Sequence, residues 1–366
     1  MLTDGLNPDQ IEVSIFGPGK GECVLLHLGY GDWMIVDSCV DSIRKENPAI
    51  AYLKRINVDI SKCVRLIVGT HAHDDHIAGI SQVFAECESA YFVCSSALTE
   101  REFFVLMEAD GSLAPTSGGR AYAEYSRVFD IAERRARSTG ISTIRRAIES
   151  RELLVSDASS GPKDYRVRSL SPSDHAVTRS VQAFGRHLAA TGRRRRKTMI
   201  DPNELAVALW VEAADKRVLL GADLINGPER CGWSAVLKTF KPDRKASVFK
   251  VPHHGAPNAH SDDVWMNLVS SKPVALLAPF RAGRRPRPDE VDRERICSLT
   301  PHAYTAAPTV RTSSTANVRE AVAALSSIAE NIREPWGRTG HVRARSRIGE
   351  DGWKVNISSP ACALSV

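Results

Sequence analysis

The sequence is short of several things, and each shortage narrows what it can be. No apolar run approaches the roughly 20 residues of a membrane-spanning helix, so no membrane partner is expected. The first ten residues, MLTDGLNPDQ, lack the basic and apolar regions of a signal peptide, and a cytoplasmic location is expected. None of the eight cysteines (Cys23, Cys39, Cys63, Cys87, Cys94, Cys231, Cys297, Cys362) forms a C-x-x-C pair with another. Several lie in apolar runs, where cysteine is a small buried hydrophobe, so reduced thiols are expected rather than a disulfide framework. No internal repeat of fixed period is present.

What is there is an ordinary globular composition: 366 residues, 43% hydrophobic and 25% charged. A chain of this length buries a substantial core. We read residues 1–366 as one domain, with a basic, mostly helical insertion at 100–197 and a helix and hairpin within 281–366 completing the fold. The net charge of +6 is unevenly placed, with arginines clustered at Arg134, Arg135 and Arg137, at Arg145 and Arg146, at Arg193 to Arg196, and at Arg281 to Arg287. A polyanionic partner explains these clusters; solvated helix faces and loops explain them as well.

Short β-branched and apolar stretches predict strands at IEVSIFG, ECVLLHL and WMIVDSC, punctuated by glycine turns. PAIAYLKRI has helical spacing, VRLIVGT is a strand, IAGISQVFAEC a helix and AYFVCSS a strand. REFFVLMEAD, AYAEYSRVFDIAERRARS and ISTIRRAIESREL read as helices. The polar stretch SSGPKDYRVRSLSPSDHAVTRS reads as a loop with one strand at YRVRSLS. NELAVALWVEAADKRVLLGAD is a hairpin turning near Ala214 and Asp215, and SVFKVPHHG and PVALLAPF are further strands. TANVREAVAALSSIAENI is a helix, and HVRARSRIGEDGWKVNIS a hairpin turning at Gly349 to Gly352.

The chemistry concentrates at THAHDDH, which holds His71, His73, Asp75 and His76 as H-x-H-x-D-H directly after a strand. Imidazole and carboxylate suit zinc and similar divalent cations. Four donors in one tight turn cannot all reach one ion without strain. His71 and His73 can serve one ion while Asp75 and His76 serve a second, and a two-ion site suits attack on a phosphoryl group. The stretch KVPHHG, with His253 and His254, repeats the same grammar of an apolar strand followed by histidines.

These residues resemble the metallo-β-lactamase superfamily, whose H-x-H-x-D-H motif THAHDDH matches in full. WMIVDSC resembles the family's early strand ending in aspartate, here Asp37. KRVLLGAD resembles the strand that presents the aspartate bridging both metals, here Asp223, and FKVPHHG the strand ending in the last histidine ligand. Within the superfamily the chain is similar to the metallo-β-lactamase domain of the DNA-uptake protein ComEC, whose branch pairs an asparagine-led strand with LLTGD and then HHGS. The counterparts here are Asn203 to Val207, LLGAD and HHGA.

The resemblance implies an α+β fold, the metallo-β-lactamase αβ/βα four-layer sandwich, and two divalent metal ions, zinc first and manganese as the alternative. His71, His73, Asp75, His76, Asp223, His253 and His254 are the candidate ligands, because HHG does not say which histidine binds. Asp37 is expected to orient ligands through hydrogen bonds. Many relatives supply a further histidine between the H-x-H-x-D-H turn and the bridging aspartate. This chain has Asn203 and Glu204 there, so the first metal is left under-coordinated or completed by water or substrate, or His175 or His187 reaches back.

The expected activity is a metal-dependent phosphodiesterase or nuclease on DNA or RNA, in which a hydroxide bridging the metals attacks phosphorus. Asp75, Asp37 and His254 are the candidate catalytic residues, with His253 or His254 assisting the departing oxygen. Asn203, Lys250, Arg194 and Arg195 are the candidate substrate contacts, and Tyr122, Tyr125 and Phe129 candidate stacking partners for bases. Two alternatives stand beside this. One is a hydrolase of a small or cyclic nucleotide messenger; the other is a degenerate scaffold that binds a protein partner. On any of these readings, a protein partner in a bacterial DNA-processing or phage-defence system is an expectation the resemblance leaves open.

Overall fold

Alternation of apolar residues in the strands gives each sheet two faces to bury, and both faces are covered. The computed structural model describes residues 2–17, 21–41, 43–99, 117–156, 161–189, 201–281, 286–309 and 339–365. The elements run in the order β1 (Gln10–Gly17), β2 (Cys23–His27), β3 (Trp33–Val36), α1 (Pro48–Arg55), α2 (Ile60–Cys63), β4 (Val64–Gly69), α3 (Asp74–Ile77), α4 (Ile80–Glu86) and β5 (Tyr91–Ser95). Then come α5 (Ser117–Thr139), β6 (Ile144–Ala147), β7 (Arg151–Val155), β8 (Tyr165–Ser169), α6 (Asp174–Ala189), β9 (Leu209–Ala213), β10 (Lys216–Leu220), α7 (Gly232–Thr239) and β11 (Ala246–Lys250). The rest are α8 (Asp262–Asn267), β12 (Val269–Leu277), α9 (Glu290–Leu299), β13 (Ala303–Thr305), β14 (Gly340–Arg347), β15 (Lys354–Ser358) and β16 (Cys362–Ala363).

The strands form two eight-stranded sheets, β15-β14-β1-β2-β3-β4-β5-β6 and β16-β13-β12-β11-β10-β9-β8-β7. Both follow one scheme. In the first, β14, β1, β2 and β3 pair antiparallel, and β3, β4, β5 and β6 pair parallel. In the second, β7, β8, β9 and β10 pair antiparallel, and β10, β11, β12 and β13 pair parallel. The halves are therefore topological copies, although the sequence shows no repeat.

Val13, Ile15, Leu26, Met34, Val36 and Val68 of one sheet meet Val167, Val211, Val218, Leu220, Val248 and Leu276 of the other in the layer between the sheets. The opposite face of the first sheet packs Ile35, Ile67 and Phe92 against Tyr52, Phe84, Tyr125 and Val128 of α1, α4 and α5. The opposite face of the second packs Trp210, Leu219 and Phe249 against Trp233, Val264 and Ile296 of α7, α8 and α9. The result is the αβ/βα four-layer sandwich of the metallo-β-lactamase fold. Fully burying each Val, Leu or Ile is worth about 1.5–3 kcal/mol, so the strand ends that carry the site are firmly held.

The sequence-based elements differ from the structure in two places. ISTIRRAIESREL forms β6 and β7 rather than a helix. Residues 144–169 are woven into both sheets, β6 pairing with β5 and β7 and β8 extending the second sheet. The stretch read as loop after YRVRSLS contains α6, whose start is capped where the Ser173 hydroxyl accepts a hydrogen bond from the Ala176 N–H at 3.1 Å. The expected helices at REFFVLMEAD and TANVREAVAALSSIAENI lie outside the described residues. The eight cysteines are unbridged, and no helix among the described residues is long and apolar enough to cross a membrane.

Candidate metal centre

Strand ends from both halves converge on one buried cluster. Asp37 follows β3 and Asp223 follows β10; THAHDDH follows β4 and His253–His254 follow β11. Ligand sites in α/β sheets lie outside the carboxyl ends of parallel strands, and this cluster does so for both sheets at once. The turns are tight. Asp37, Ala222, His253 and His254 all have positive φ, at 61°, 46°, 48° and 54°. Left-handed backbone costs a non-glycine residue about 1–2 kcal/mol, and such residues gather where surrounding structure over-determines them.

Two glycines permit the approach of the loops. A Cβ on Gly21 would stand 2.5 Å from the Asp75 carbonyl oxygen, where the Glu22 N–H donates to that carbonyl at 3.0 Å. A Cβ on Gly221 would meet the Lys250 carbonyl oxygen at 2.9 Å, closing the gap between the Asp223 and His253 loops.

The hydrogen bonds fix which nitrogen of each histidine is free. The Asp37 carboxylate accepts from the Thr70 N–H at 2.8 Å and from the Thr70 hydroxyl at 2.8 Å. That hydroxyl, its proton spent on Asp37, accepts from His71 Nδ1 at 2.9 Å. His76 Nδ1 donates to Asp37 at 2.7 Å, and His254 Nδ1 donates to the Ala278 carbonyl at 2.9 Å. A carboxylate or carbonyl only accepts, so each of these Nδ1 atoms is a donor and Nε2 is the nitrogen left to face a cation, which would displace any proton there. Asp37 thus orients two histidines.

The Nε2 atoms face carboxylates. His76 Nε2 lies 3.3 Å from Asp223 Oδ2 and 3.7 Å from Asp75 Oδ2. His254 Nε2 lies 3.3 Å and 3.5 Å from the same two oxygens. His76 Nε2 and Asp223 Oδ1 are buried without a hydrogen-bond partner. His71 Nε2 stands 3.0 Å from His73 Nδ1, and His71, His76 and Asp223 form a second grouping of donor atoms. Two clusters of nitrogen and carboxylate donors, sharing His76 and close to one another, are a donor set that a divalent cation fits.

The electrostatics ask for positive charge at the centre. Burial opposes charging His254, but Asp223, Asp75 and Glu22 outweigh it and push its pKa up to about 10. His76 moves the same way against burial, under Asp223, Asp75, Asp37 and Glu22. Burial likewise opposes ionising Asp75 and Asp223, yet His76 and His254 hold both carboxyls below the ordinary range. His71 is pushed down by burial and by His76 and His73, which leaves it neutral and able to ligate.

Three sequence-based assignments change. His253 turns away from the carboxylates, with Nδ1 2.9 Å from Asn258 Oδ1 and Nε2 3.4 Å from Asn203 Nδ2, so His254 is the histidine that joins the cluster. Lys250 is not a substrate contact: it is buried, with Nζ 2.5 Å from Glu22 Oε1, 2.7 Å from the Ala222 carbonyl and 3.5 Å from Asp223 Oδ1. Tyr125 is no base-stacking residue. It is buried in the core under α5 against Phe92, with its hydroxyl 3.3 Å from the Gly69 carbonyl, and Tyr122 and Phe129 pack on the same core.

Asn203 sits at the cluster's edge, buried, with Oδ1 lacking a partner. Among the described residues His175 joins no donor cluster; the His187 side chain, Arg194 and Arg195 lie outside them. The arginines between 117 and 156 are largely engaged. Arg127 pairs with Glu124 and Arg137 with Glu133, Arg135 donates to the Phe84 carbonyl, and Arg145 donates to the Leu153 carbonyl while covering Tyr91.

Sequence reading missed Glu22. It is fully buried, its Oε1 3.8 Å from His76 Nδ1 and its Oε2 3.7 Å from His254 Nδ1, and it neutralises Lys250 beneath the cluster. The available signal was an acidic residue and a lysine at the ends of mostly apolar strands, in GECVLLHL and SVFKV.

No family model matches the chain, and no curated protein does. Solved structures do. The metallo-β-lactamase fold protein YhfI from Bacillus subtilis is 11% identical over 81% of this chain and 95% of that one, with a TM-score of 0.39. BJP-1, a subclass B3 metallo-β-lactamase of Bradyrhizobium japonicum, is 13% identical over 68% of this chain and 77% of that one, with a TM-score of 0.32. CmlA, a diiron β-hydroxylase from Streptomyces venezuelae, is 12% identical over 67% of this chain, with a TM-score of 0.35. The chain spans 35% of CmlA's length.

Proposed function

We propose that the chain is a metal-dependent hydrolase of phosphodiester bonds, with nucleic acid as its first substrate class. The observation that carries the reading is the convergence of His76 Nε2 and His254 Nε2 on Asp75 Oδ2 and Asp223 Oδ2, at 3.3–3.7 Å, across the two halves. His71 and His73 stand beside them as donors for a second cation, and Asn203 Oδ1 is the nearby buried oxygen without a partner. Zinc suits this nitrogen and carboxylate set, with manganese the alternative. Divalent cations held there supply Lewis acidity toward a phosphoryl oxygen and lower the pKa of water.

The chain's own residues prepare the site. Asp37, Thr70 and the Ala278 carbonyl hold three imidazoles in the ligating tautomer. Glu22 and Lys250 fix the floor from below. His253, half-buried beside Asn203 and clear of the carboxylates, is the substrate-side histidine in this reading. The phosphodiester class is supported by the fit of a two-cation site to in-line attack at phosphorus and by the chain's positive charge.

The test offers the purified protein, with zinc or manganese, plasmid, linear single strands and cyclic dinucleotides beside an Asp75→Ala control. Polymer cleavage that disappears in the control supports the proposal. Turnover confined to small nucleotides overturns the nucleic-acid substrate, and inactivity without bound metal overturns the hydrolase.

A further inference from the structure

At the other end of the second sheet, where β10, β11 and β13 begin, lies a cleft of about 650 Å³. It is far along the same strands from the metal centre, which sits at their carboxyl ends. Its walls carry five lysines and arginines (Lys216, Arg217, Arg244, Lys245 and Lys272) against two aspartates, Asp215 and Asp351. Lys216 is spent on Asp215 and the Glu350 carbonyl, which clamps the 349–352 turn onto the β9–β10 turn. Arg217 faces Glu212 and Asp243. Lys245 donates to the Met266 carbonyl at 2.5 Å. Arg244 and Lys272 are exposed, and among the described residues no carboxylate stands within ion-pair distance of either.

Two rings, Tyr304 and Trp353, line the same cleft, with His302 at its edge. Trp353 is pinned, its indole N–H donating to the Ser247 hydroxyl at 3.0 Å. The cleft therefore presents uncompensated cations beside fixed aromatic surface in a volume within the usual range for small-ligand sites, roughly 300–1,000 Å³. Guanidinium and ammonium groups take phosphate, and an aromatic wall takes the face of a base whatever its sequence.

We propose that this cleft is a second site, distinct from the metal centre, that binds a nucleoside monophosphate through Arg244 and Lys272 at the phosphate and Trp353 at the base. Arg244, Lys272 and Trp353 line one bounded cleft, which suits a single small ligand better than a long strand. The proposal does not depend on the chain being a hydrolase.

The test titrates the full chain with 5′-AMP, inorganic phosphate, adenosine and a ten-nucleotide thymidine strand, following tryptophan fluorescence and calorimetric heat. The variants are Arg244→Glu/Lys272→Glu, Trp353→Leu and Asp75→Ala, each checked for an unchanged thermal midpoint. Loss of AMP affinity by about tenfold or more in the double charge reversal, with Asp75→Ala at wild-type affinity, supports the site. Trp353→Leu is expected to erase most of the preference for AMP over phosphate. Three results overturn the proposal: no saturable AMP binding, an equal loss in Asp75→Ala, or a cleft-dependent preference for the ten-nucleotide strand of about tenfold or more.

Discussion

Asp37→Asn is the most informative single change to this protein, because it alters one atom and should disable a ligand that it does not replace. Oδ1 of Asp37 accepts from the Thr70 N–H, and Oδ2 accepts from both the Thr70 hydroxyl and His76 Nδ1. An asparagine must put its NH2 at one of these positions. Placed at Oδ2, it faces the His76 Nδ1–H and forces the imidazole to move its proton to Nε2, where the lone pair facing Asp223 and Asp75 is lost. Placed at Oδ1, it opposes the Thr70 backbone N–H, which has no way to become an acceptor. The first orientation is relieved by the proton shift on His76, whereas the second leaves a buried donor facing a donor.

The backbone is not the cause, because residue 37 has φ 61° and asparagine tolerates that conformation as well as aspartate does. Loss of an orienting partner behind a ligating histidine typically costs 10–100-fold in metal affinity, about 1.4–2.7 kcal/mol. The assay is competition for zinc against a chromophoric chelator, with metal content after dialysis and a thermal midpoint as the fold control. An Asp37→Asn variant that holds zinc within twofold of the parent would refute the tautomer argument.

Three further outcomes are expected. His254→Ala removes the metal held by Asp75, His76 and Asp223, whereas His253→Ala keeps the metal content and changes turnover alone; metal analysis of both variants decides, and depletion in His253→Ala counts against the assignment. Lys250→Ala strands Glu22 without its cation beneath the site and costs about 3–5 kcal/mol in denaturant unfolding, while Glu22→Leu/Lys250→Met costs less than the single change. A loss under about 1 kcal/mol in Lys250→Ala would place that lysine elsewhere than the buried pair. Stability is expected to fall in acid from the two buried neutral histidines outside the site. Burial lowers His27 from 6.5 to about 4, and burial with Arg343 and Arg345 holds His341 well below its ordinary value. A depressed pKa means the unfolded chain takes the proton first, so stability is full above pH 6.5 and declines from there toward about pH 4. At about 1.4 kcal/mol per pH unit, His27 alone accounts for roughly 3 kcal/mol over that span. A flat midpoint between pH 7 and pH 5 in a His27→Gln/His341→Gln background, against a slope in the parent, is the confirming measurement; equal slopes refute it.

What the sequence discloses follows from the range over which each feature is determined. THAHDDH is legible because its donors are adjacent and its backbone turn is local. KVPHHG is legible as a motif, but which histidine ligates is decided by a remote carbonyl, that of Ala278, and by Asn258 on the far side. ISTIRRAIESREL mimics a helix because Ile141, Ile144 and Ile148 fall at helical spacing. Pairing of Ile144 with Phe92 in a parallel sheet overrides that pattern, and Ile141 is left exposed. Glu22 and Lys250 are illegible as partners because neither sequence neighbourhood contains the other's charge.

The duplication of strand order is the largest feature hidden from the sequence, and it explains the division of labour at the site. Asp37 and Asp223 occupy the same topological place, after β3 and β10, the strand of each sheet where the pairing changes from antiparallel to parallel. They meet opposite sides of the same imidazole. Asp37 accepts from His76 Nδ1 and Asp223 faces His76 Nε2, so one aspartate sets the tautomer that the other requires. His76, buried between the two aspartates, therefore bears the asymmetry between the halves. Substituting Asp223 should therefore lower metal affinity without moving the His76 proton, whereas substituting Asp37 moves the proton and lowers affinity as its consequence. The imidazole nitrogen shifts of His76 in the two metal-free variants, read at alkaline pH where the ring is neutral, separate these cases. Only Asp37→Asn is expected to exchange the Nδ1 and Nε2 positions of the proton, and the same exchange in an Asp223 variant would refute the division.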